Sequence, residues 1–244
     1  MAQEASTLVA LATYNEIENL PSLVEAVHET LPLATVVVID DNSPDGTGKW
    51  CDEQVELAPW LSCIHRAGKL GLGTALRTAM QTAVERDVEA VITMDADWSH
   101  PPDVLPRMLE MSNHADVVIG SRYCPGGSVE GWPLRRKMAS RLINSASRGV
   151  LGVPVRDCSG NYRLYSTKLL RQIDWSKIQA EGYAYIEEVL WHLHLLDARF
   201  AEVPITFADR QAGESKISSA EMVGAAKMLA RLTGQRAARI LRRK

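Results

Sequence analysis

The sequence predicts an α/β protein with a mostly parallel, Rossmann-like sheet that is covered by helices on both faces. Short runs rich in β-branched residues alternate with longer segments whose apolar residues recur at helical spacing, the pattern of a doubly covered parallel sheet. Three of the short runs end in polar residues, as expected where the carboxyl ends of parallel strands line a ligand crevice. The 244 residues are enough for one large domain with a substantial core.

Five strands are predicted in the first half of the chain. In chain order they lie within the segments STLVALATY, ATVVVIDDN, LSCIHRA, EAVITMDAD and ADVVIGSRY. Between them, apolar spacing and proline placement predict helices in NEIENLPSLVEAVHETL, from Trp50 to Leu57, in the segment after GKLGLGTA, and in PPDVLPRMLEMS. This alternation continues to about Tyr123.

Beyond Tyr123 the sequence predicts two basic amphipathic helices. The first covers about residues 133–151, and the second is the C-terminal segment 217–244. On the first helix, arginines and a lysine surround an apolar side formed by Leu134, Met138, Leu142, Ile143 and Val150. Such a helix either lies on a membrane surface or packs on the domain with a solvated basic face. The presence of two such segments favours the membrane surface.

The lengths of the apolar runs, the first residues of the chain and the net charge indicate the location and the partners of the protein. No window approaches about 18 consecutive apolar residues, and no secretory signal pattern opens the chain. We therefore expect a cytoplasmic protein that is peripheral on the cytoplasmic face of a membrane. A catalytic domain over residues 1–216 and no transmembrane domain are expected. The net charge of −3 gives no overall bias toward nucleic acid, which is not an expected partner.

The strongest chemical motif is MDAD, in which Asp95 and Asp97 follow the fourth predicted strand. Two carboxylates this close raise the cost of each other's ionisation. A hard cation such as Mg²⁺ or Mn²⁺, held jointly by carboxylates and phosphates, removes that repulsion. An isolated DxD pattern is common without any metal, so the prediction depends on the neighbouring motifs.

Three further motifs suit a phosphate-bearing ligand. The pair Asp40-Asp41 follows the second predicted strand, where it would face a ribose or a base. The glycine-rich stretch GKLGLGTA opens a helix, and its backbone amides and Lys69 suit a diphosphate or a base edge. In DRQAGESK, Arg210 and Lys216 flank a turn that can close over phosphates.

Seven motifs occur in the order ATYNEIENL, VVVIDDNSPDGTG, GKLGLGTA, MDADWSHPP, GSRY, RDCSGNYRLY and DRQAGESK. As a set they closely resemble the dolichyl-phosphate mannosyltransferase group (polyprenol-phosphate mannose synthases) of glycosyltransferase family 2. The resemblance runs from about Leu8 to Lys216. It implies a GT-A fold, a divalent metal, and inverting transfer of mannose from GDP-mannose to dolichyl or another polyprenyl phosphate. Whether a separate membrane subunit assists is left open.

The resemblance also implies roles for individual residues. Asp95 and Asp97 would bind the metal and the donor diphosphate, with Ser99 as a further metal contact. The residues implied in nucleotide binding are Ala12, Tyr14, Glu16, Ile39, Asp41 and Ala96. Those implied in catalytic phosphate contacts are Arg122, Arg210 and Lys216, and Arg135 or Arg136 would face the lipid phosphate. Asp157 and Glu187 are implied only in positioning the sugar or the acceptor.

The sequence departs from this group at two motif positions. Ala12 stands where the group usually has Pro, and Trp98 stands where it usually has Leu. Neither change removes a charge or a ligand. An acceptor phosphate monoester has its second pKa near ~6 and is itself a nucleophile at neutral pH, so no general base is required.

Three alternatives stay open at this point. A polyprenyl-phosphate glucosyltransferase that uses a UDP-sugar would keep the same metal pair. A phosphate-receiver signalling module would also place acids after an apolar strand, but it needs neither the second acidic strand end nor the basic helices. A non-catalytic membrane adaptor on a transferase fold is disfavoured because both aspartates of the DxD motif are present.

Overall fold

The structure is a computed structural model that describes residue 4, residues 6–209 and residues 219–242. Its strands are, in chain order, β1 (Thr7–Thr13), β2 (Thr35–Asp40), β3 (Leu61–His65), β4 (Ala90–Asp95), β5 (Val117–Ser121), β6 (Ser128–Val129), β7 (Arg163–Ser166), β8 (Phe200–Pro204) and β9 (Thr206–Phe207). Seven of them form one sheet in the order β3-β2-β1-β4-β7-β5-β8, and β6 pairs with β9 in a second, two-stranded sheet.

The large sheet is parallel except for β7, which runs antiparallel to both of its neighbours, β4 and β5. The five strands predicted from the sequence are all present, and the α/β fold class is confirmed. Strands β7 and β8 are additions that the sequence patterns did not predict. They place the second half of the chain in the same sheet as the first half.

The helices are α1 (Leu20–Thr30), α2 (Thr47–Val55), α3 (Leu72–Glu85), α4 (Leu105–Met111), α5 (Leu134–Leu151), α6 (Thr167–Leu170), α7 (Ala184–Leu195) and α8 (Ser219–Arg242). They cover both faces of the sheet, so alternate strand residues enter two separate cores. Val9 and Leu11 pack into the core that contains α1, α2 and α4. Leu8 and Ala10 pack into the core that contains α3 and α7. Each buried leucine or valine contributes roughly 1.5–3 kcal/mol to folding.

The strand register brings three strand ends to one edge of the sheet. Ala12 at the end of β1 lies opposite Ile39 of β2 and opposite Asp95 of β4. The polar residues that follow these three strands therefore emerge side by side. This is the common crevice that the sequence predicted at the carboxyl ends of the strands.

Helix α5 is fixed to the domain along one side only. Asn144, Ser147 and Leu151 form its buried side. The Asn144 side chain accepts the backbone N–H groups of Cys158 (2.8 Å) and Ser159 (3.2 Å). On the opposite side an apolar stripe is open: Leu134, Met138 and Leu142 are 73%, 63% and 72% exposed.

The C-terminal helix α8 is packed against the domain rather than free of it. Met228 and Leu232 are buried in the core beneath α7. The Arg231 guanidinium contacts the buried Glu188 carboxylate at 2.7 Å, and Arg236 donates to the backbone oxygens of Gly149 and Val150 at the end of α5. Among the described side chains of α8, Met228 and Leu232 therefore face the domain, whereas the apolar stripe of α5 is exposed. In the described part of the chain, no helix combines the length and the apolar character needed to cross a bilayer.

Glu187 on α7 links this helix to α5. Its carboxylate accepts a hydrogen bond from the Ser147 hydroxyl at 3.1 Å, and the side chain is buried. Burial raises the pKa of Glu187 to about 7, although the Ser147 hydrogen bond and the charge of Arg163 act in the opposite direction. The structure therefore places Glu187 beneath α5, as a contact between two helices.

The raised pKa predicts a pH-dependent stability that Glu187→Gln removes. The folded carboxyl retains its proton to a higher pH than the unfolded one. The free energy of unfolding therefore falls, by up to about 3 kcal/mol, as pH rises from the unfolded value through the folded value of about 7. Urea unfolding at a series of pH values should show this extra decline in the wild-type protein and not in E187Q. The exposed Glu181→Gln serves as the control, and parallel curves for wild type and E187Q would contradict the assignment.

Candidate active site

The loops that follow β1 and β2 are tied together by side chains. The Asn15 N–H donates to Ser43 Oγ (2.9 Å), and the Ile17 N–H donates to Asp45 Oδ2 (3.1 Å). Burial opposes ionisation of Asp45, but hydrogen bonds from Thr47 and Ile17 outweigh it and hold the pKa of this carboxyl below its usual value. One wall of the crevice is thus a pre-shaped pair of loops.

Asp41 shapes the glycine-rich loop. Its Oδ2 accepts the N–H groups of Leu70 (2.9 Å) and Gly71 (3.1 Å), and its Oδ1 lies 2.8 Å from Arg66 Nη1. Gly71 has φ +89°, a left-handed conformation that favours glycine. In the structure Oδ2 holds the loop, whereas the buried Oδ1 faces the Arg66 guanidinium without a hydrogen bond. The direct nucleotide contact of Asp41 stays a prediction.

Two predicted nucleotide-binding residues are brought together at this loop. Lys69 Nζ lies 4.2 Å from the centroid of the Tyr14 ring, within the range of a cation–π contact. Lys69 is exposed, so its charge stays available to an anion. Glu16, predicted to act beside Tyr14, accepts a hydrogen bond from Asn19 Nδ2 at 2.8 Å.

The other predicted nucleotide contacts lie along the strand ends. Ile39 is fully buried and Ala96 is 3% exposed, whereas Ala12 is half-buried beside Asp95. Ile39 and Ala96 are therefore placed to meet a ligand through their backbone. No side chain at these three positions supplies a charge.

The DxD motif is held by hydrogen-bond donors. Asp95 Oδ1 accepts from Asn161 Nδ2 at 2.9 Å, and the Asp95 side chain is partly exposed. Asp97 is buried, and its Oδ1 accepts from the Ser99 N–H (3.1 Å) and the Ser99 hydroxyl (2.6 Å). Both carboxylates and the Ser99 oxygen are thereby brought to one turn, as the sequence predicted.

His100 adds no positive charge to this turn. Its Nδ1 accepts the backbone N–H of Asp95 at 3.0 Å, so the proton of the neutral ring is on Nε2. Burial lowers the pKa of His100, although the neighbouring Asp95 and Asp97 act in the opposite direction. The two aspartates are therefore not neutralised by the histidine that follows them.

These residues fit a hard divalent cation. Carboxylate and hydroxyl oxygens are the ligands that Mg²⁺ and Mn²⁺ take, with substrate phosphates at the other positions. Among the described residues there is no group of three or more His, Cys, Asp or Glu that could hold a metal without a substrate. Beside Asp95, the buried Asn161 Oδ1 lacks a hydrogen-bond partner, and such an acceptor is rarely left unsatisfied in a native site.

Arg122, predicted as a phosphate-binding residue, forms a buried ion pair. Its Nε and Nη2 each donate to Asp157 at 2.8 Å, and Nη2 also donates to Ser159 Oγ at 2.9 Å. Burial opposes ionisation of Asp157, but the Arg122 guanidinium outweighs it and lowers the pKa of this carboxyl. These bonds take up Nε and Nη2 and not Nη1, so the phosphate contact of Arg122 stays a prediction for Nη1. Asp157, in turn, orients an arginine.

The Trp132 ring lies beside both Arg122 and Arg136. The Arg136 guanidinium lies 3.9 Å from the Trp132 ring centroid, and its Nη1 lies 3.6 Å from Asp209 Oδ1. Arg136, one of two residues predicted to face a lipid phosphate, is thus placed near Arg122, while Arg135 is exposed on α5. The predicted phosphate contacts Arg210 and Lys216 lie outside the described residues.

No role was predicted for Asn161 or His100, although both lie inside the quoted motifs RDCSGNYRLY and MDADWSHPP. Their positions could not be assigned without the sheet. Asn161 precedes β7, whose antiparallel pairing with β4 brings it to Asp95.

Comparisons with known proteins agree with this site. The family described as Glycosyl transferase family 2 matches residues 8–174. An undecaprenyl-phosphate mannosyltransferase of Micrococcus luteus is 42% identical over 86% of this chain and 87% of its own length. A polyprenol monophosphomannose synthase of Mycolicibacterium smegmatis is 41% identical over 88% of this chain and 82% of its own length. The resemblance drawn from the motifs is confirmed.

Solved structures agree on the fold. Glucosyl-3-phosphoglycerate synthase from Mycobacterium tuberculosis, in complex with Mn²⁺, uridine diphosphate and phosphoglyceric acid, has a TM-score of 0.66. The match is 19% identical and covers 95% of this chain and 81% of that one. At this identity the likeness shows the fold alone, and it confirms the predicted GT-A fold.

Asn161 is predicted to position Asp95 for a cation. Asn161→Ala removes the 2.9 Å hydrogen bond to Asp95 Oδ1, and loss of such a supporting contact typically weakens metal affinity about 10–100-fold. Titration of the folded protein with Mn²⁺ in the presence of GDP would measure the change. The exposed Asn113→Ala is the matched control. An N161A protein with wild-type Mn²⁺ affinity would exclude this positioning role.

Proposed function

The chain belongs to glycosyltransferase family 2, and on that premise we propose that it transfers mannose from GDP-mannose to a polyprenyl phosphate, with inversion at the sugar. The products are polyprenyl-phosphate mannose and GDP. The observation that carries the proposal is the DxD turn: Asp95 and Asp97, held by hydrogen bonds from Asn161 and Ser99, lie at the end of β4 in a nucleotide-type crevice. The names of the two relatives support the sugar and the acceptor.

Asp95, Asp97 and Ser99 would hold a Mg²⁺ or Mn²⁺ ion. When bound, such an ion neutralises the negative charge that develops on the departing diphosphate. The protein's own part is to present these oxygens in a fixed arrangement, which the hydrogen bonds from Asn161 and Ser99 supply. Tyr14 and Lys69 lie where a nucleotide would complete the crevice.

The acceptor phosphate would act as the nucleophile. At neutral pH a phosphate monoester is largely a dianion, so it attacks the anomeric carbon while the bond to the diphosphate breaks, and no proton has to be removed. Asp157 is not free to act as a base, because Arg122 binds both of its oxygens. The acceptor phosphate and the departing diphosphate are both anions and repel each other. Among the described residues, we assign Arg122 Nη1 and Arg136 to holding the acceptor phosphate against this repulsion.

The base of the nucleotide donor distinguishes the mannosyl assignment from a second candidate. A UDP-sugar-dependent polyprenyl-phosphate glucosyltransferase would use the same aspartates. The mannosyl assignment is favoured by the two relatives at 41–42% identity, both of which are named for mannose transfer. Calorimetric titration with GDP-mannose and with UDP-glucose, each with Mn²⁺, separates the two, and tighter binding of UDP-glucose would overturn the choice of donor.

We also propose that the protein meets its lipid acceptor from the membrane surface. The exposed stripe of Leu134, Met138 and Leu142 lies on α5, the helix that Asn144 fixes to the loop bearing Asp157. An amphipathic helix can bury such a stripe at the boundary between headgroups and acyl chains. The acceptor would then enter the site along α5.

Asp97→Asn is expected to abolish metal-dependent transfer while the protein stays folded. The substitution keeps the size of the side chain and removes one of the two charges available to the cation. The measurement is organic-soluble radiolabel from GDP-mannose, Mn²⁺ and a short polyprenyl phosphate, with a decrease of at least about a hundredfold. The exposed Asp103→Asn is the control, and turnover near wild type in D97N would refute the metal role.

The exposed stripe on α5 predicts a defect in membrane binding that is separate from the loss of transfer. Replacing Leu134, Met138 and Leu142 by serine should reduce co-sedimentation with liposomes about tenfold or more, because the apolar area available for insertion is lost. Transfer to a short acceptor in detergent should persist. The matched control replaces Leu33, Val55 and Leu57, which are also exposed. Equal liposome binding by both triple variants would show that α5 is not the contact.

A further inference from the structure

A second concave site lies on the flank of α5. It is a cavity of about 360 Å³ between the chain that follows β5, the flank of α5 and the loop after α5. Its charged lining is made of arginine only, and we call it the arginine pocket, defined by Arg141, Ser145, Arg148 and Arg156 with Arg122 in its wall. Asp95, Asp97 and Ser99 do not line it, so it is distinct from the DxD turn.

No Asp or Glu side chain lines the arginine pocket, and within the described residues no ion pair involves Arg141, Arg148 or Arg156. Outside the lining, Glu202 accepts the Arg156 backbone N–H at 3.0 Å, and Asp157 pairs with Arg122. Other arginines of the domain, such as Arg66 and Arg199, each contact a carboxylate. Three guanidinium groups around one concavity, without an acid, form a site for an anion with several oxygens.

The arginine pocket adjoins the apolar stripe. Residues three or four apart are neighbours on a helix, so Arg141, Ser145 and Arg148 form one row along α5. The exposed Met138 and Leu142 form the next row. If the stripe inserts at the boundary of the acyl chains, the arginine pocket therefore stands at the level of the headgroups.

The framework of the arginine pocket is rigid. Asn144, which also lines it, accepts from the backbone of Cys158 and donates to Ser159 Oγ at 3.0 Å. Ser159 in turn accepts from Arg122. The helix that carries Arg141 and Arg148 is thus held to the wall of the pocket by hydrogen bonds rather than by apolar contact alone.

We propose that the arginine pocket binds the phosphate of an anionic membrane phospholipid, an inference that rests on the proposed peripheral association. It is a site for the bilayer and not for the reacting lipid. Of the residues that line the pocket, Arg122 is the one that we also place at the proposed reaction, and its Nε and Nη2 donate to Asp157. The binding would orient α5 on the membrane and so present the crevice to the acceptor.

The test compares binding to vesicles of phosphatidylcholine alone and of phosphatidylcholine with phosphatidylglycerol. The wild-type protein should bind the anionic vesicles more tightly. The variant R141Q/R148Q/R156Q should lose about tenfold or more of that preference, and R141K/R148K/R156K, which keeps the charge but not the paired donors, should lose part of it. The control R86Q/R107Q/K168Q removes the same charge from exposed positions outside the pocket and should keep the preference.

Three outcomes would overturn the proposal. Equal losses in the pocket variant and the control would show a diffuse charge effect. A KM for a short polyprenyl phosphate in detergent that is higher for R141Q/R148Q/R156Q than for the wild-type protein would show that the arginine pocket holds the acceptor. The third outcome is that inorganic phosphate stabilises the wild-type protein and not R141Q/R148Q/R156Q, while the wild-type protein shows no preference for anionic vesicles. That outcome would show a site for a free anion. Failure of the proposed transfer reaction would appear separately, as a wild-type protein that binds vesicles but forms no product.

Discussion

The arrangement of this protein depends on holding two carboxylates close together at the end of a buried strand. Asp95 and Asp97 receive hydrogen bonds from Asn161 and from Ser99, which fix the positions of their oxygens. His100, the nearest titratable cation in sequence, is kept neutral by burial and accepts an N–H rather than donating one. This histidine therefore adds no positive charge beside the two aspartates, and a divalent ion with its phosphate ligands is the chemistry that such a pair of carboxylates suits.

A second constraint connects the crevice to the outer helix. Arg122 and Asp157 form a buried, two-point ion pair, and removing one partner of such a pair typically costs about 3–5 kcal/mol. Ser159 and Asn144 continue the network to α5. These hydrogen bonds connect Arg122, through Nε and Nη2, to the outer helix. The position of α5 relative to the crevice follows from this connection.

The sequence predicted what local patterns determine. The five β-branched strands, the polar residues at their ends and the helix over 134–151 follow from spacing and composition. What it missed depends on pairing across the sheet: β7 is only four residues long, and the Arg122–Asp157 contact joins residues 35 positions apart. Likewise, the amphipathic pattern of α8 could not show whether its apolar side faced a membrane or the domain, and Met228 and Leu232 face the domain.

The arginines divide according to burial, and this division separates those that stabilise loops from those that are available to an anionic surface. Arg66 and Arg122 are buried, and each is matched by an aspartate, so they stabilise loops without giving a net field. Arg141 and Arg148 are exposed on α5 and unmatched by any acid that lines the arginine pocket. Charges of this kind attract phosphate over roughly a Debye length, about 8–10 Å at physiological salt. Placing the unmatched cations on the outer helix therefore lets them attract an anionic bilayer, as proposed, outside the crevice that holds the two aspartates.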